Sequence, residues 1–343
     1  MSEAPITIDG AEGGGQMLRL AVALSALTGR AVRVENIRGA RREPGLRPQH
    51  LLAVKAAAEV CQGAVSGAEI GSETIELHPG SLRPMTDRKL DIGTAGSVTL
   101  LLQSLLPCLS RASGPTALRL TGGTNVAWSP PVDYLQQVLL AVLSRHGLKA
   151  GIAVEERGFY PKGGGVIQVS VSPSLLSPFA MTERGELRRI GGLAFSSGLP
   201  PHICERMRQA ALSLLRPSSD LAPEIELQVR AKGPSVGCGL CLFAEFSSGA
   251  VLGADALGER GKRAEAVGEE AARSLLSEVE SGACADSHLA DQLVIWAALA
   301  PGRSTYTAAR LTDHLRLAIQ VTEALSDRRF TVSGERPVTV VCE

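Results

Sequence analysis

Apolar positions along the chain recur in two periods, and the periods take turns. "PITIDG" (5–10) alternates as a short strand, and "GGGQMLRLAVALSALTG" (13–29) carries apolar residues at helical spacing from a glycine start to Gly29. "AVRVENI" (31–37) returns to alternation, "RPQHLLAVKAAAEVCQG" (47–63) predicts a second helix, and "AVSGAEI" (64–70) with "TIELHPG" (74–80) a strand pair. The order is β-α-β-α-β-β over roughly 80 residues.

The same order returns after residue 88. "KLDIG" (89–93) and "ALRLTGG" (117–123) flank the helical "TAGSVTLLLQSLLPCLSRA" (94–112). "SPPVDYLQQVLLAVLSRHG" (129–147) follows as a helix opened by Ser-Pro in cap and first-turn positions. "KAGIAVEERG" (149–158) and "GGVIQVSVSP" (164–173) close the unit. The tail repeats it with the first strand missing: helix 288–300, strand 304–310, helix 313–326 and strands 328–334 and 337–343. Self-similarity of this kind predicts one supersecondary unit used three times. Residues 185–280 carry a different pattern, helices around 200–215 and 263–281 with strands between, and read as a small domain inserted in the third unit. The expected fold is therefore α/β (α+β): a large domain from residues 1–184 and 281–343, and an inserted α+β domain at 185–280.

Composition narrows the function. At 343 residues with 44% hydrophobic and 20% charged positions, the chain suits a soluble globular protein. Lys+Arg and Asp+Glu both total 35, so there is no global basic field for sequence-blind nucleic-acid binding. Any RNA must be gripped locally. "MSEAPITIDG" has no signal-peptide pattern, and no apolar run reaches the ~18 residues of a membrane span. Seven cysteines without an export signal point to reduced thiols and a cytoplasmic setting. The one C-x-x-C, Cys238 and Cys241, lies in a strand-like run and reads as core.

Candidate chemistry sits in short stretches, each with a bland reading beside it. The glycines of "DGAEGGGQMLR" (9–19) and "FYPKGGG" (159–165) let backbone N–H groups approach a phosphate, or merely make tight turns; neither stretch matches a Walker or a dinucleotide-binding motif. In "NIRGARREPGLRPQH" (36–50), Arg38, Arg41, Arg42 and Arg47 surround a Pro-Gly turn before a helix, with Arg33 slightly earlier and Gln49 and His50 at the helix start. Guanidinium forks suit phosphate oxygens, although a solvated charged loop is the simpler reading. Arg19 adds a guanidinium just inside the first helix. Gln103 sits mid-helix on an apolar stretch and needs a partner. Asp291 and Gln292 begin an otherwise apolar helix, with His288 one turn before. His314 stands at the start of a helix after "TD", where the positive end of the dipole favours neutral imidazole, the nucleophilic form.

Taken together these stretches resemble the RNA 3'-terminal phosphate cyclase family over essentially the whole chain. "IDGAEGGGQMLR", "NIRGARREPGLRPQHL", "IGTAGSVTLLLQ", "GGTNVAWSPPVDY", "GFYPKGGG", "HLADQL" and "HLRLAI" occur in family order and spacing. The resemblance implies a large domain of repeated β-α-β-α-β-β units with a small domain inserted in the third. It also implies an ATP-dependent enzyme in which a histidine is adenylated, the adenylyl group passes to an RNA 3'-phosphate, and the 2'-hydroxyl closes a 2',3'-cyclic phosphate with release of AMP. By that resemblance His314 is the nucleophile, with Arg19 and Arg41 as catalytic partners. Gln103, Pro130, Pro131, His288, Leu289, Ala290, Asp291 and Gln292 form the adenylate pocket, Arg38 and Gln49 take the substrate phosphate, and Glu12 holds a divalent metal (Mg or Mn). RNA 3'-phosphate ends are the implied partner; no membrane is involved, and monomer or homodimer stays open.

Three departures stand out. The first loop is two residues shorter than the "DGxxGEGGGQ" form, His288 replaces a frequent tyrosine, and Leu317-Ala318 replace a frequent Thr-Asn. A cyclase-like protein without catalysis, acting in ribosome assembly, is the alternative; such relatives lack the histidine and much of the arginine set. An enolpyruvyl transferase needs no histidine nucleophile, and a lysine-dependent nucleotidyltransferase needs a Lys where Thr7 stands.

Overall fold

The computed structural model describes residues 4–218 and 221–343; the first three residues of the N-terminal stretch lie outside them. The first unit runs β1 (Ile6–Asp9), α1 (Gly15–Thr28), β2 (Val32–Glu35), α2 (Pro48–Val60), β3 (Ala64–Ser66) and β4 (Ile75–His78). Gly29 ends α1 in the left-handed conformation, φ 75°, its N–H bonded to the Ser25 carbonyl, which is the ordinary glycine stop. The second unit runs β5 (Arg88–Asp91), α3 (Val98–Ser110), β6 (Thr116–Gly122), one continuous helix made of α4 (Val132–Tyr134), a π turn (Leu135–Leu139) and α5 (Leu140–Arg145), then β7 (Lys149–Glu156) and β8 (Gly165–Ser172).

The Ser-Pro cap expected for that helix is not there. The N-cap is Pro131, and the Ser129 hydroxyl turns back to the Val126 carbonyl. A residue that precedes proline is pushed out of the helical region, and Ser129 and Pro130 both precede one. The helix therefore starts only after the second proline.

After β8 comes β9, the two residues Ala180–Met181. The chain then makes β10 (Leu187–Ser197), α6 (His202–Leu215), β11 (Glu224–Arg230), β12 (Gly237–Phe246), β13 (Val251–Leu257) and α7 (Ala264–Glu280). It finishes with α8 (Leu289–Leu299), β14 (Ser304–Ala308), α9 (Asp313–Leu325), β15 (Phe330–Ser333) and β16 (Val338–Cys342).

Three of the four four-stranded sheets share one topology: β1-β2-β4-β3, β5-β6-β8-β7 and β9-β14-β16-β15. In each, the first two strands are parallel and the other pairings antiparallel. Strand β9 thus fills the first position of the third sheet, through Thr305↔Ala180 and Tyr306↔Met181. The fourth sheet, β11-β10-β12-β13, has its own order.

The helices of the three related units pack on one another, α1 against α2, α3 and α9, and α8 against α3 and α9. Helix α3 is buried almost all round, as its near-continuous apolar sequence requires. All seven cysteines are buried and unpaired, Cys238 and Cys241 among them. No helix among the described residues is long and apolar enough to cross a membrane.

Candidate functional site

The contact of α1 with α9 brings the glycine loop to His314. Thr312 caps α9, its hydroxyl accepting from the Leu315 N–H at 3.0 Å. That fixes the first turn and leaves the His314 ring exposed toward α1, while Leu315, Leu317 and Ala318 face the core. Leu317 and Ala318 are thus packing residues of the buried face and do not reach the site.

Gln16, the second residue of α1 and 8% exposed, meets the imidazole. Its Nε2 donates to Asp291 Oδ2 (2.9 Å) and to the His314 carbonyl (3.1 Å). With the amide turned that way, Oε1 faces His314 Nδ1 at 2.5 Å. A carbonyl oxygen only accepts, so Nδ1 carries the proton and Nε2 keeps the lone pair. Burial, Arg19 and His288 lower the His314 pKa below its ordinary 6.5, Arg41 adds to the shift and Asp313 opposes it. The ring is a neutral base at neutral pH.

Arg19 lies one turn beyond Gln16. Burial lowers its pKa to about 10, offset in part by Asp291, so it stays charged. The glycine run makes the room. A Cβ on Gly15 would stand 2.4 Å from His50 Nε2 and 2.8 Å from Arg19 Nη1, and one on Gly14 would stand 3.3 Å from Arg41 Nη2. His50 is buried (5% exposed), and its pKa falls to about 3 through burial and the cations of Arg19, Arg38 and Arg47. Two guanidiniums and a neutral imidazole thus converge on backbone that has no side chains in the way. Such a concavity suits an anion.

A narrow cavity of about 30 Å³ opens beside Arg19, with Gln16, Gln103, Asp291, Gln292 and Trp296 in its wall. Gln292 donates to the His288 carbonyl, while its buried Oε1 has no partner. Burial raises the Asp291 pKa to about 7 against the opposing pull of His288 and Arg19. A cavity this small takes a water molecule and not a purine.

The other expected residues fall as follows. Glu12 is exposed and paired with Arg316 at 3.4 Å. Among the described residues no group of three or more His, Cys, Asp or Glu side chains stands together to hold a metal. Arg38 has φ 57° and donates through Nη1 to the carbonyls of Glu43 and Gly45, both at 2.8 Å, stapling its own loop. Gln49 accepts from the Ser97 N–H at 2.9 Å. Pro130 accepts from Thr99 through its carbonyl, and Pro131 caps α4. His288, exposed at the N-cap of α8, lies edge-on to Tyr134 with centroids 6.2 Å apart. Leu289 and Ala290 are wholly buried, so only their backbone can serve the site. Gln16 and Trp296 were not singled out in the sequence. For Gln16 the available signal was a polar residue on a helix face otherwise destined for the core.

Fold and site together define an α/β protein of three related units whose helices bring a neutral imidazole near two guanidiniums and a glycine turn. Comparison with known proteins narrows this. A family model described as RNA 3'-terminal phosphate cyclase matches residues 10–332. Relatives named RNA 3'-terminal phosphate cyclase include that of Pyrobaculum neutrophilum, 42% identical over 98% of this chain and 97% of its own. That of Caldivirga maquilingensis is 45% identical over 92% and 91%, and that of Archaeoglobus fulgidus 45% over 90% and 92%. This chain belongs to the RNA 3'-terminal phosphate cyclase family. Among solved structures, the enolpyruvyl transferase NikO from Streptomyces tendae overlaps 50% of this chain and 32% of its own at 13% identity, and its TM-score of 0.30 is too slight to bear on fold or function.

Proposed function

We propose that this chain is an ATP-dependent RNA 3'-terminal phosphate cyclase working through a covalent His314–AMP intermediate. His314 Nε2 attacks the α-phosphorus of ATP, and the bond to the bridging oxygen breaks to release pyrophosphate. An oxygen of the RNA 3'-phosphate then attacks the same phosphorus, the P–N bond breaks, and His314 returns to its starting state. AMP is now a leaving group on the RNA end. The neighbouring 2'-hydroxyl attacks the terminal phosphorus, AMP departs, the hydroxyl proton goes to solvent, and a 2',3'-cyclic phosphate remains. Proximity drives this last step, since the attacking oxygen is on the same ribose.

The observation that carries the reading is the fixed tautomer of His314 beside Arg19. A neutral imidazole near a cationic, Cβ-free concavity is set up to attack a phosphorus. Arg19 and Arg41 would take the charge that develops on phosphoryl oxygens. Gln103 and the unpartnered Oε1 of Gln292 would meet a nucleotide, with His288, Pro130 and Pro131 around the base, and Gln49 and Arg38 would take the RNA phosphate. A divalent metal, when bound, would screen the phosphates. Glu12 is the carboxylate to hold it, and one carboxylate plus phosphate oxygens is an ordinary set for Mg²⁺. The buried thiols suit a reducing, cytoplasmic setting.

Incubation with α-labelled ATP and a divalent metal should give a protein adduct that is labile in acid and stable in base. A 3'-phosphate RNA oligonucleotide should then be cyclised. His314→Ala should abolish both; an adduct of unchanged intensity in that variant defeats the assignment, and a non-catalytic relative gives no adduct at all.

A further inference from the structure

The chain has two tryptophans and three tyrosines. Trp296, Tyr134 and Tyr306 are buried, but Trp128 is 99% and Tyr160 77% exposed. Both exposed rings line one cavity of about 660 Å³, together with Val236, which is 61% exposed. Single exposed apolar side chains are ordinary; three converging on one groove mark a binding surface.

The rings stand on rigid supports. The 122–131 loop is tied to the 157–165 segment by Thr124 N–H to the Gly158 carbonyl (2.9 Å) and Gly158 N–H to Thr124 Oγ1 (2.9 Å). Ser235, from the chain between β11 and β12, accepts from Phe159 N–H (2.7 Å) and donates to the Gly163 carbonyl (2.9 Å). Trp128 itself sits at φ 66°, a conformation a bulky residue adopts only when its surroundings impose it. Lys162, on the turn that carries Tyr160, is exposed and has no ion-pair partner among the described residues.

One wall residue is Gln49, which precedes His50 of the anion site in α2. The groove is therefore continuous with the place proposed for the RNA phosphate. Stacking faces that lead away from a phosphate site fit single-stranded nucleic acid.

We infer that this groove binds the unpaired bases preceding the 3'-terminal nucleotide of RNA, stacked on Trp128 and Tyr160, with Lys162 toward the backbone phosphate. The inference rests on the cyclase reading for its direction along the strand, yet binding can be measured without catalysis. Trp128 is the exposed fluorophore and Trp296 the buried one. A tetranucleotide RNA bearing a 3'-phosphate should quench the emission; the same sugar-phosphate chain without its upstream bases should not. Trp128→Ala combined with Tyr160→Ala should weaken the base-bearing oligonucleotide about tenfold or more, leaving the abasic chain and the His314 adduct with ATP unchanged.

Equal quenching by both chains, or equal affinity in the double variant, overturns the proposal. An emission shift that follows protein concentration without RNA assigns the face to a second copy of the chain and overturns it too. Quenching by RNA without any His314 adduct leaves this surface standing and removes the cyclase reading instead. Quenching of the unmodified protein also keeps the test independent of whether the double variant folds.

Discussion

Gln16 Oε1 accepts the proton of His314 Nδ1, across 298 positions of sequence. The amide cannot turn over, because its other end is committed to Asp291 Oδ2 and the His314 carbonyl. Asp291 thus sets Gln16, and Gln16 sets the histidine. The logic is that of a carboxylate orienting a catalytic imidazole, with an amide inserted between them.

Loss of that amide should cost chemistry and not folding. Gln16→Met keeps the volume and removes both ends of the relay, leaving His314 free to take either tautomer and to rotate. The rate of adduct formation should fall by about a hundredfold or more, on the scale seen when a histidine loses its orienting partner, with Kd for ATP little changed. Single-turnover labelling measures the first and equilibrium binding the second. An unchanged labelling rate would show that the hydrogen bond is incidental.

The acid limb of adduct formation should lie below pH 6.5. Burial, Arg19 and His288 depress the His314 pKa, so the neutral form persists to lower pH than in a free histidine. The rate should fall as pH drops through that depressed value. Arg19→Gln removes one of those cations and should move the limb upward, toward the ordinary histidine value. A pH–rate profile of both proteins decides it; a limb that does not move means Arg19 has no hold on the imidazole.

The long elements were legible because their apolar residues recur over several turns: α1, α3 and α9 fall where the pattern put them. Strand β9 was not, since two residues contain no period, and its place in the third sheet comes from pairing with β14. His314 was legible as chemistry only through the family resemblance. Its own neighbourhood, an exposed helix start with one acid before it, is common. Gln16 and Arg19 acquire their meaning only when α1 packs on α9, which no local window contains. Trp128 carries no local signal of its exposure: the sequence does not show that it stands 99% exposed at φ 66°.

Arg157 is wholly buried and makes a two-pronged contact with Asp133, both bonds 2.7 Å, with further bonds to Asn125 (3.1 Å) and to Gln228 of β11 (2.7 Å). Its guanidinium also lies 4.2 Å from the Phe195 ring centre, on β10. This one side chain ties the second unit to the fourth sheet. Asp133→Ala strands the cation and should cost about 3–5 kcal/mol of stability. Replacing both partners by Leu and Met should cost much less. Urea unfolding midpoints of the single and double variants test this, and additive losses would contradict it.

Gly15→Ala tests the space around the glycine run. An alanine at the first position of α1 gains helix propensity, but it overpacks a buried ring, so the thermal midpoint should fall. The new Cβ would stand 2.4 Å from His50 Nε2, and His50 is buried and cannot swing away. Arg19 at 2.8 Å must move as well. Cyclisation of a 3'-phosphate RNA should fall at least tenfold, as misplacement of a positioning group predicts. Full activity in this variant would mean that the concavity does not hold the phosphate.

Asp255 offers a stability test away from His314. Burial raises its pKa from 3.8 to about 7, against a weaker opposing pull from His288. A carboxyl whose folded pKa is raised binds more protons in the native state than in the unfolded one between those two values. Stability therefore increases as pH falls from about 7 toward 3.8, the reverse of a salt-bridged carboxylate. His50 works the other way below 6.5, where the unfolded chain takes up a proton that the native ring, with its pKa near 3, refuses. Comparing a variant with its parent at each pH cancels that second effect. Asp255→Asn cannot ionise, so it should raise Tm by roughly 2–4 °C at pH 8, where the parent bears a buried charge. At pH 5.5 the native carboxyl is protonated while the unfolded one is not, so the gap should narrow by about half and close only near pH 3.8. Scanning calorimetry at the two pH values gives the answer, and an equal destabilisation at both would show that the Asp255 carboxylate is needed in its charged form.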